Sequence, residues 1–300
     1  IETGALVQTD GRWTVSVALD EAGLPEGVRE VVGRRLSELP AATNAVLGAA
    51  SVLGREFDVG MLSKVAGQSA GAILEALEPA ENARLIGEVV GRAGRYSFSH
   101  ALVRTVLVEE LGTNRRVRLH QAAGIAFESE PDPPLGLLAY HFGEAAIMGE
   151  TERAVRYATQ AAEHALAIAA PEEAITLARR GLEIAQPGSV PSQQRARLLM
   201  LLGSGLDTNG DFAPARDAVA EAFRISWDDN DFKTAELAAL EYGGLNVWQS
   251  YGDERGPRQL HAALTMLPAG DSEQRARLLT RVAEWSVSAP GNQGATVARE

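Results

Sequence analysis

Histidine is the residue type with which this chain could do acid–base or anion chemistry near neutral pH. Five histidines are present, at positions 100, 120, 141, 164 and 261. His100 stands out because it follows the predicted strand that ends at Phe98-Ser99 and opens a predicted helix. An imidazole at a helix N-terminus can donate a hydrogen bond to an anion that the helix dipole already favours. The alternative interpretation is a buried histidine whose ring is satisfied by a backbone carbonyl.

No other set of residues has the spacing of a catalytic motif. A phosphate-binding loop needs Gly-x-x-x-x-Gly-Lys-Ser/Thr, and neither lysine of the chain, Lys64 or Lys233, follows a glycine. There is no His-Glu-x-x-His helix, and Gly203-Ser204-Gly205 lies inside a predicted helix rather than at a nucleophile elbow. The acidic pairs Glu109-Glu110 and Asp228-Asp229 fall on predicted surfaces or turns. We therefore expect no enzyme activity in this segment.

The composition is typical of a folded helical protein with two or three units. The chain has 300 residues, of which 45% are hydrophobic and only 5% aromatic. Because it has no cysteine, disulfides and thiolate metal sites are excluded. The net charge of −12 opposes binding to DNA phosphates. The sequence has no apolar stretch of about 18 residues, which is the length that a membrane-spanning helix needs. We expect a cytoplasmic protein, and we expect both ends to be cuts within a longer chain.

Residues 1–40 have the pattern of a hairpin followed by one helix. Residues 4–19 alternate weakly around Asp10-Gly11, which is a hairpin signal. A helix then begins at Pro25 and ends before Pro40, with apolar residues at helical spacing. This segment alone could be an ordinary amphipathic helix with a hairpin.

Residues 41–130 show three helices followed by a β-hairpin, which is the order of a winged-helix domain. The predicted helices run from Ala41 to Leu53, from Asp58 to Ala66 and from Ser69 to Leu85. The third has Ile73, Leu74 and Leu77 facing inward. Two short strands flank a turn at residues 91–94.

The charges on the third helix speak against DNA binding. It carries Glu75, Glu78 and Glu81 against one Arg84, which is the wrong sign for a helix in the major groove.

A basic cluster marks the start of the next helix. Its arginines are Arg115, Arg116 and Arg118, and Thr113 or Asn114 could cap the helix. An outside anionic partner would explain the cluster, but a solvated face or contacts to acidic groups within the protein explain it more simply.

Residues 136–300 show the pattern of a tetratricopeptide-like α-solenoid after a Pro-rich linker at 131–134. Ala162, Gly203 and Gly244 are spaced 41 residues apart and align as the small residue at a helix crossing. Further small residues recur 12 and 19 positions later, at Ala174, Ala215, Gly256, Gly181, Ala222 and Ala263. Such residues allow close packing of helical hairpins. Trp285 stands where the fourth repeat should have a small residue.

Aromatic side chains near the third repeat offer a second candidate site. Tyr242, Trp248 and Tyr251 lie on or just after a first-position helix, the kind that lines the groove of such arrays. They could bind an inducer or a partner protein, although core packing is the more common use of large aromatic residues.

Three stretches resemble a known family. Residues 98–104 (Phe-Ser-His-Ala-Leu-Val-Arg) with the block 115–120 (Arg-Arg-Val-Arg-Leu-His), and residues 49–57, are similar to STAND-type signal-transduction ATPases, in particular the large ATP-binding transcriptional regulators of the LuxR family. The resemblance implies that residues 1–40 are the end of an ATPase module and that residues 41–130 are a winged-helix lid, with ATP or ADP bound in the full-length protein only. It also implies that His100 contacts the nucleotide phosphates and holds the closed state. A protein or small-molecule inducer would bind the repeat array, and DNA would be bound only by a further C-terminal domain.

Two other classes fit the same residues. The segment could belong to an ATPase-linked adenylate cyclase, or it could be a stand-alone repeat scaffold for protein–protein interaction. A truncated array exposes an apolar face, so self-association is also expected.

Overall fold

The structure is a computed structural model that describes residues 6–9, 12–15, 26–245 and 253–288. These residues are mainly helical, as the sequence predicts, and they form two compact units that divide between Ser129 and Glu130. The strands are β1 (Leu6–Thr9), β2 (Arg12–Val15), β3 (Glu56–Asp58), β4 (Ile86–Glu88) and β5 (Arg95–Phe98). The helices of the N-terminal unit are α1 (Glu26–Ser37), α2 (Ala41–Leu53), α3 (Val59–Ala66), α4 (Ala70–Asn82), α5 (Ala101–Glu110) and α6 (Thr113–Glu128). Those of the C-terminal unit are α7 (Leu135–Glu144), α8 (Thr151–Ala167), α9 (Pro171–Ile184), α10 (Ser192–Asn209), α11 (Phe212–Asp228), α12 (Phe232–Gly244), α13 (Arg255–Met266) and α14 (Glu273–Ser288).

The predicted N-terminal hairpin is present. Strands β1 and β2 pair antiparallel, with Leu6 opposite Val15 and Thr9 opposite Arg12. Helix α1 follows close to its predicted bounds, and its Arg29 forms an ion pair of 3.1 Å with Glu109 of α5.

Local signals fix the helices at the centre of the N-terminal unit. The carboxylate of Asp58 accepts hydrogen bonds from the backbone N–H groups of Gly60 and Met61, so Asp58 caps α3. Gly67 ends α3 in the left-handed conformation, at φ 65°, which favours glycine. The side chain of Ser69 caps α4 by accepting from Ala72.

A small antiparallel sheet completes this unit, with strand order β3-β5-β4. Strand β3 was not predicted, because its three residues are too few for a periodic pattern. Its Phe57 is buried and contacts the rings of Tyr96 and Phe98, at centroid distances of 6.1 and 5.5 Å. This aromatic cluster joins the sheet to the helical core.

The third predicted helix differs from the structure in length and in one face residue. Helix α4 ends at Asn82 rather than Leu85, because the chain turns at Arg84, which has a positive φ of 55°. Ile73 and Leu77 are buried as predicted, whereas Leu74 is 45% exposed because it lies off the buried stripe formed by Ile73, Leu77 and Ala80.

The C-terminal unit is an array of helical hairpins. The hairpins are α8–α9, α10–α11 and α12–α13, and α14 begins a fourth. The first helices begin at residues 151, 192, 232 and 273, so successive starts are 41, 40 and 41 residues apart. The repeat period inferred from the sequence is therefore confirmed. Pro171 stands in the first turn of α9, where it displaces no helical hydrogen bond.

Small residues let these helices approach closely. A Cβ added at Gly203 of α10 would lie 2.3 Å from the side chain of Val219 and 3.1 Å from the carbonyl oxygen of Ala215, both on α11. In the third hairpin the buried small residue is Gly243, whereas Gly244 is exposed. The alignment is therefore wrong by one position there, because α12 begins 40 rather than 41 residues after α10.

At the start of the fourth hairpin, a large residue packs against a glycine of the preceding helix. Trp285 of α14 is buried, and a Cβ added at Gly256 of α13 would lie 2.7 Å from its ring. The bulky residue in a first helix is thus accommodated by the small residue of the preceding helix.

Candidate functional site

His100 lies on the surface at the start of α5. It is the N-cap residue, with extended backbone angles, and its side chain makes no capping hydrogen bond. The residue is exposed, so the alternative of a buried, carbonyl-satisfied histidine does not hold. Its backbone is positioned by the sheet, because Phe98 donates to Arg55 and Ser99 donates to Leu85 immediately before it.

The electrostatics at this helix start favour an anion. The first turn of α5 contains no acidic residue, so the N-terminal N–H groups and the helix dipole are not neutralised by a carboxylate. Arg104, one turn along α5, is half-buried and donates to the carbonyl oxygen of Ser51 at 2.8 Å.

The charges of α4 and of strand β5 do not favour DNA binding. Glu75, Glu78 and Glu81 are all exposed on α4, as the sequence analysis anticipated. Arg95 in the hairpin is paired with Glu56 at 3.3 Å, so its charge is already compensated.

One arginine of the basic cluster of α6 makes a contact within the N-terminal unit. Gly112, not Thr113 or Asn114, is the N-cap residue. Arg115 donates to the carbonyl oxygen of Ala45 on α2 at 3.1 Å. One turn further, His120 is buried, and burial together with Arg116 and Arg104 lowers its pKa to about 4. His120 is therefore neutral at physiological pH.

Tyr242, one of the three predicted groove residues, lies in the core of the C-terminal unit. It is fully buried, its ring lies 6.1 Å from that of Trp285, and its hydroxyl donates to Asp253 at 2.6 Å. Trp248 and Tyr251 fall outside the described residues. Because Tyr242 is buried and the other two residues are not described, the aromatic groove stays a prediction.

Asp253 anchors the start of α13. Burial would raise its pKa, but hydrogen bonds from Arg255 and from Tyr242 outweigh that effect and hold the pKa at about 2. Arg216 of α11 lies 3.4 Å from the same carboxylate. This network links the second and third hairpins.

The clearest candidate site is a cleft of about 360 Å³ on the first helices of the three hairpins. Helix α8 contributes Val155 and Thr159, α10 contributes Gln194 and Met200, and α12 contributes Leu237. Residues far apart in sequence thus meet because equivalent helices stack side by side, which is how repeat arrays form a shared binding surface.

The cleft combines an apolar floor with a polar rim. Val155 and Met200 are almost fully buried, whereas Leu237 is 47% exposed. Arg197 at the rim forms an ion pair of 2.8 Å with Glu163. Sequence reasoning placed a groove on first-position helices but chose aromatic residues, and it missed these residues because glutamine, threonine and leucine give no signal of a site in isolation.

The described residues contain no group of histidine, aspartate and glutamate side chains that could hold a metal ion. None of the helices in the described ranges combines the length and the apolar character needed to cross a membrane.

Comparisons with known proteins give one weak structural likeness. No protein-family model matches the chain, and no curated protein matches it. The chain is similar to the crystal structure of a signal transduction ATPase with numerous domains from Pyrococcus horikoshii, which has a tetratricopeptide repeat sensor. The identity is 14% and the TM-score is 0.34, over 95% of this chain and 46% of the other. The chain therefore spans about half the length of that ATPase.

Proposed function

We propose that this chain is the signal-sensing and transmitting segment of an ATP-dependent transcriptional regulator of the STAND type. The C-terminal array binds a signal, and the N-terminal unit acts as a winged-helix lid that couples the signal to the nucleotide state of an ATPase module. The observation that carries the proposal is the cleft formed by the first helices of three successive hairpins. A shared cleft of this kind suits ligand recognition rather than simple packing.

The element order of the N-terminal unit supports the lid role. Helix α2, strand β3, helices α3 and α4, and the β4–β5 hairpin follow one another as in winged-helix domains. The exposed acidic face of α4 disfavours the DNA-binding use of that fold. Residues 98–120, which resemble the regulator family, begin where this sheet ends.

His100 is the residue through which the lid would sense nucleotide. Its exposed imidazole stands at an uncapped helix N-terminus without a carboxylate in the first turn. A donor in that position stabilises a phosphate oxyanion. In the full-length protein it would contact ADP bound by the ATPase module and so favour the closed state, and signal binding to the array would shift the population toward the open state.

The segment itself carries no catalytic motif, and we expect it to have no activity alone. ATP or ADP would be bound by the ATPase module, and DNA by a further domain. A cyclase output domain would leave this switching mechanism unchanged.

The test is the affinity of the full-length protein for ADP when His100 is replaced. His100→Ala removes the imidazole, and we expect weaker ADP binding and higher basal activity. His261→Ala is the matched control, because His261 is also exposed but lies on α13, where its Nδ1 is 2.7 Å from the carbonyl oxygen of Pro257. Unchanged ADP affinity and basal activity in His100→Ala would refute the proposed role.

A further inference from the structure

We propose that a pocket beside the turn between α8 and α9 binds a small organic cation with an aliphatic body. This pocket, which we name the Pro133 pocket, is lined by residues 132–136, by the last turns of α8 with its C-cap, and by Glu173 of α9. All of these residues belong to the C-terminal unit. The Pro133 pocket shares no lining residue with the cleft on α8, α10 and α12. The inference therefore goes beyond the proposed function and does not depend on it.

One face of α8 gives the Pro133 pocket an apolar floor. Four residues at helical spacing line it from this side: Ala161, His164, Ala165 and Ile168. Ala161 and Ala165 are buried, whereas Ile168, the C-cap residue of α8, is 60% exposed. A ligand that covers Ile168 removes apolar surface from water, which contributes about 25 cal/mol per Å².

The residues before α7 and in its first turn add further aliphatic surface. Pro133, Pro134 and Leu135 line the pocket and are half-buried. Because a proline ring fixes φ, this wall loses little conformational freedom when a ligand binds. The lining residues include no aromatic side chain, so the apolar surface suits an aliphatic body better than a flat ring.

The volume of the Pro133 pocket suits a small molecule. It is about 540 Å³, within the range of roughly 300–1,000 Å³ found for small-molecule sites. A Cβ added at Gly136, a lining residue, would meet no atom within 4 Å. The space next to the first turn of α7 is therefore open.

The charges that line the Pro133 pocket favour a cation. The carboxylates of Asp132 and Glu173 are exposed, and neither takes part in an ion pair or a hydrogen bond with the described residues. The lining contains no lysine or arginine, and His164 is its only other titratable residue. Two carboxylates thus face at most one positive charge, so the lining is negative whether or not His164 is protonated. An ammonium ligand gains from this field, and a carboxylate ligand is repelled by it.

The helix dipoles do not reverse this preference. The N-terminus of α7, at Leu135, and the C-terminus of α8, at Ile168, both reach the pocket. The first end carries a partial positive charge of about half a unit and the second a partial negative charge of similar size. These two effects offset each other, so the two full carboxylate charges decide the sign.

The arrangement favours an organic cation over a metal ion. A metal ion needs several carboxylate or imidazole ligands that converge on one point. The described residues contain no group of three such side chains, although Asp132, His164 and Glu173 line the same pocket. Carboxylates spread around an aliphatic surface instead match a ligand that carries its charge on an apolar body.

The test uses three probes of nearly the same shape and different charge. These are 1-aminoadamantane, which is a cation at pH 7, 1-adamantanol, which is uncharged, and adamantane-1-carboxylate, which is an anion. Their affinities for the full 300-residue chain are measured by equilibrium dialysis. We expect the amine to bind about tenfold more tightly than the alcohol, because each of two carboxylates contributes about threefold, as in an exposed ion pair. The carboxylate should bind more weakly than the alcohol.

Charge variants locate the cation. Asp132→Asn and Glu173→Gln should each weaken binding of 1-aminoadamantane about threefold and leave the affinity for 1-adamantanol unchanged. Glu172→Gln is the control for Glu173→Gln, because Glu172 is exposed in the same first turn of α9 but does not line the pocket. Asp229→Asn is the control for Asp132→Asn, because Asp229 is exposed at the end of α11 and does not line the pocket. Both controls should bind the amine as wild type does.

An apolar variant locates the aliphatic body of the probe. Ile168→Ser should weaken the binding of all three probes by a similar factor of about three, because each loses the same apolar contact. Ile147→Ser is the control, because Ile147 is 85% exposed between α7 and α8 but does not line the pocket. Far-UV circular dichroism checks that each variant is folded.

Several results would overturn the proposal. An absence of saturable binding, or an alcohol or carboxylate that binds as tightly as the amine, would contradict the preference for a cation. Equal losses in Glu172→Gln and Glu173→Gln would show a general charge effect rather than binding in the Pro133 pocket. Saturable binding of tetralysine without binding of 1-aminoadamantane would indicate a basic protein partner instead of a small molecule. None of these results bears on His100, since its role is tested by ADP affinity in the full-length protein.

Discussion

Replacing Gly203 by alanine tests the close packing on which the array depends. At an exposed position in a helix, replacing glycine by alanine raises the free energy of unfolding by about 1 kcal/mol, because alanine has the higher helix propensity. At Gly203 the new methyl group would lie 2.3 Å from the side chain of Val219 and 3.1 Å from the carbonyl oxygen of Ala215. The first contact forces a shift of a fully buried residue, and overpacking of this kind costs about 1–3 kcal/mol. Taking the upper end because backbone is also involved, we expect a net loss of about 2 kcal/mol.

The loss is measured as the change in the urea midpoint, followed by circular dichroism. Gly136→Ala is the control in the same unit, because Gly136 of α7 has nothing within 4 Å of the added carbon and should tolerate the change. Combining Gly203→Ala with Val219→Ala should restore part of the stability, so the two changes should be non-additive. A Gly203→Ala variant as stable as wild type, or strictly additive changes, would refute the inferred crossing.

Two further predictions concern pH. The pKa of Asp253, at about 2, lies below its unfolded value of about 3.9. The ionised carboxylate therefore contributes to the free energy of unfolding above about pH 4, and this contribution is lost as the pH falls through 2. Asp253→Asn should lower the unfolding free energy at pH 7 by about 1–3 kcal/mol. Urea titrations should show a smaller difference between wild type and variant at pH 2.5 than at pH 7. An equal difference at the two pH values would contradict the prediction. The pKa of His120, at about 4, also lies below its unfolded value of about 6.5, so stability is full above pH 6.5 and declines toward pH 4. His120→Gln should flatten the urea-midpoint profile in that window, and an unchanged slope would argue against a buried neutral imidazole.

Much of the array could be predicted from the sequence, because each repeat needs small residues at the same positions for its helices to pack. Small residues such as Ala162 and Gly203 recur where helices cross, and their spacing determines the length of one hairpin. The error at Gly244 arose because one repeat is a residue shorter, which a fixed period cannot detect.

The strand that was missed depends on contacts distant in sequence. Strand β3 is defined by pairing with β5, about 40 residues later, with Phe57 opposite Tyr96. The N-cap of α6 is Gly112, which makes no side-chain capping hydrogen bond, although Thr113 and Asn114 are the better capping residue types.

The cleft was only partly foreseeable from the sequence. The sequence indicated that first helices would form it, since that follows from the repeat. It could not indicate that Gln194 and Leu237 would line the same cleft, because this depends on how α10 and α12 stack. Tyr242 was predicted to line a groove because it is a large aromatic residue, but large aromatic residues also fill protein cores.

The coding sequence on both sides of this segment tests the switch proposal most directly. We predict a Gly-x-x-x-x-Gly-Lys-Ser/Thr loop after a strand in the region before Ile1, and a helix-turn-helix in the region after Glu300. A flanking sequence that contains no nucleotide-binding loop would contradict the proposal, because His100 would then have no phosphate to contact.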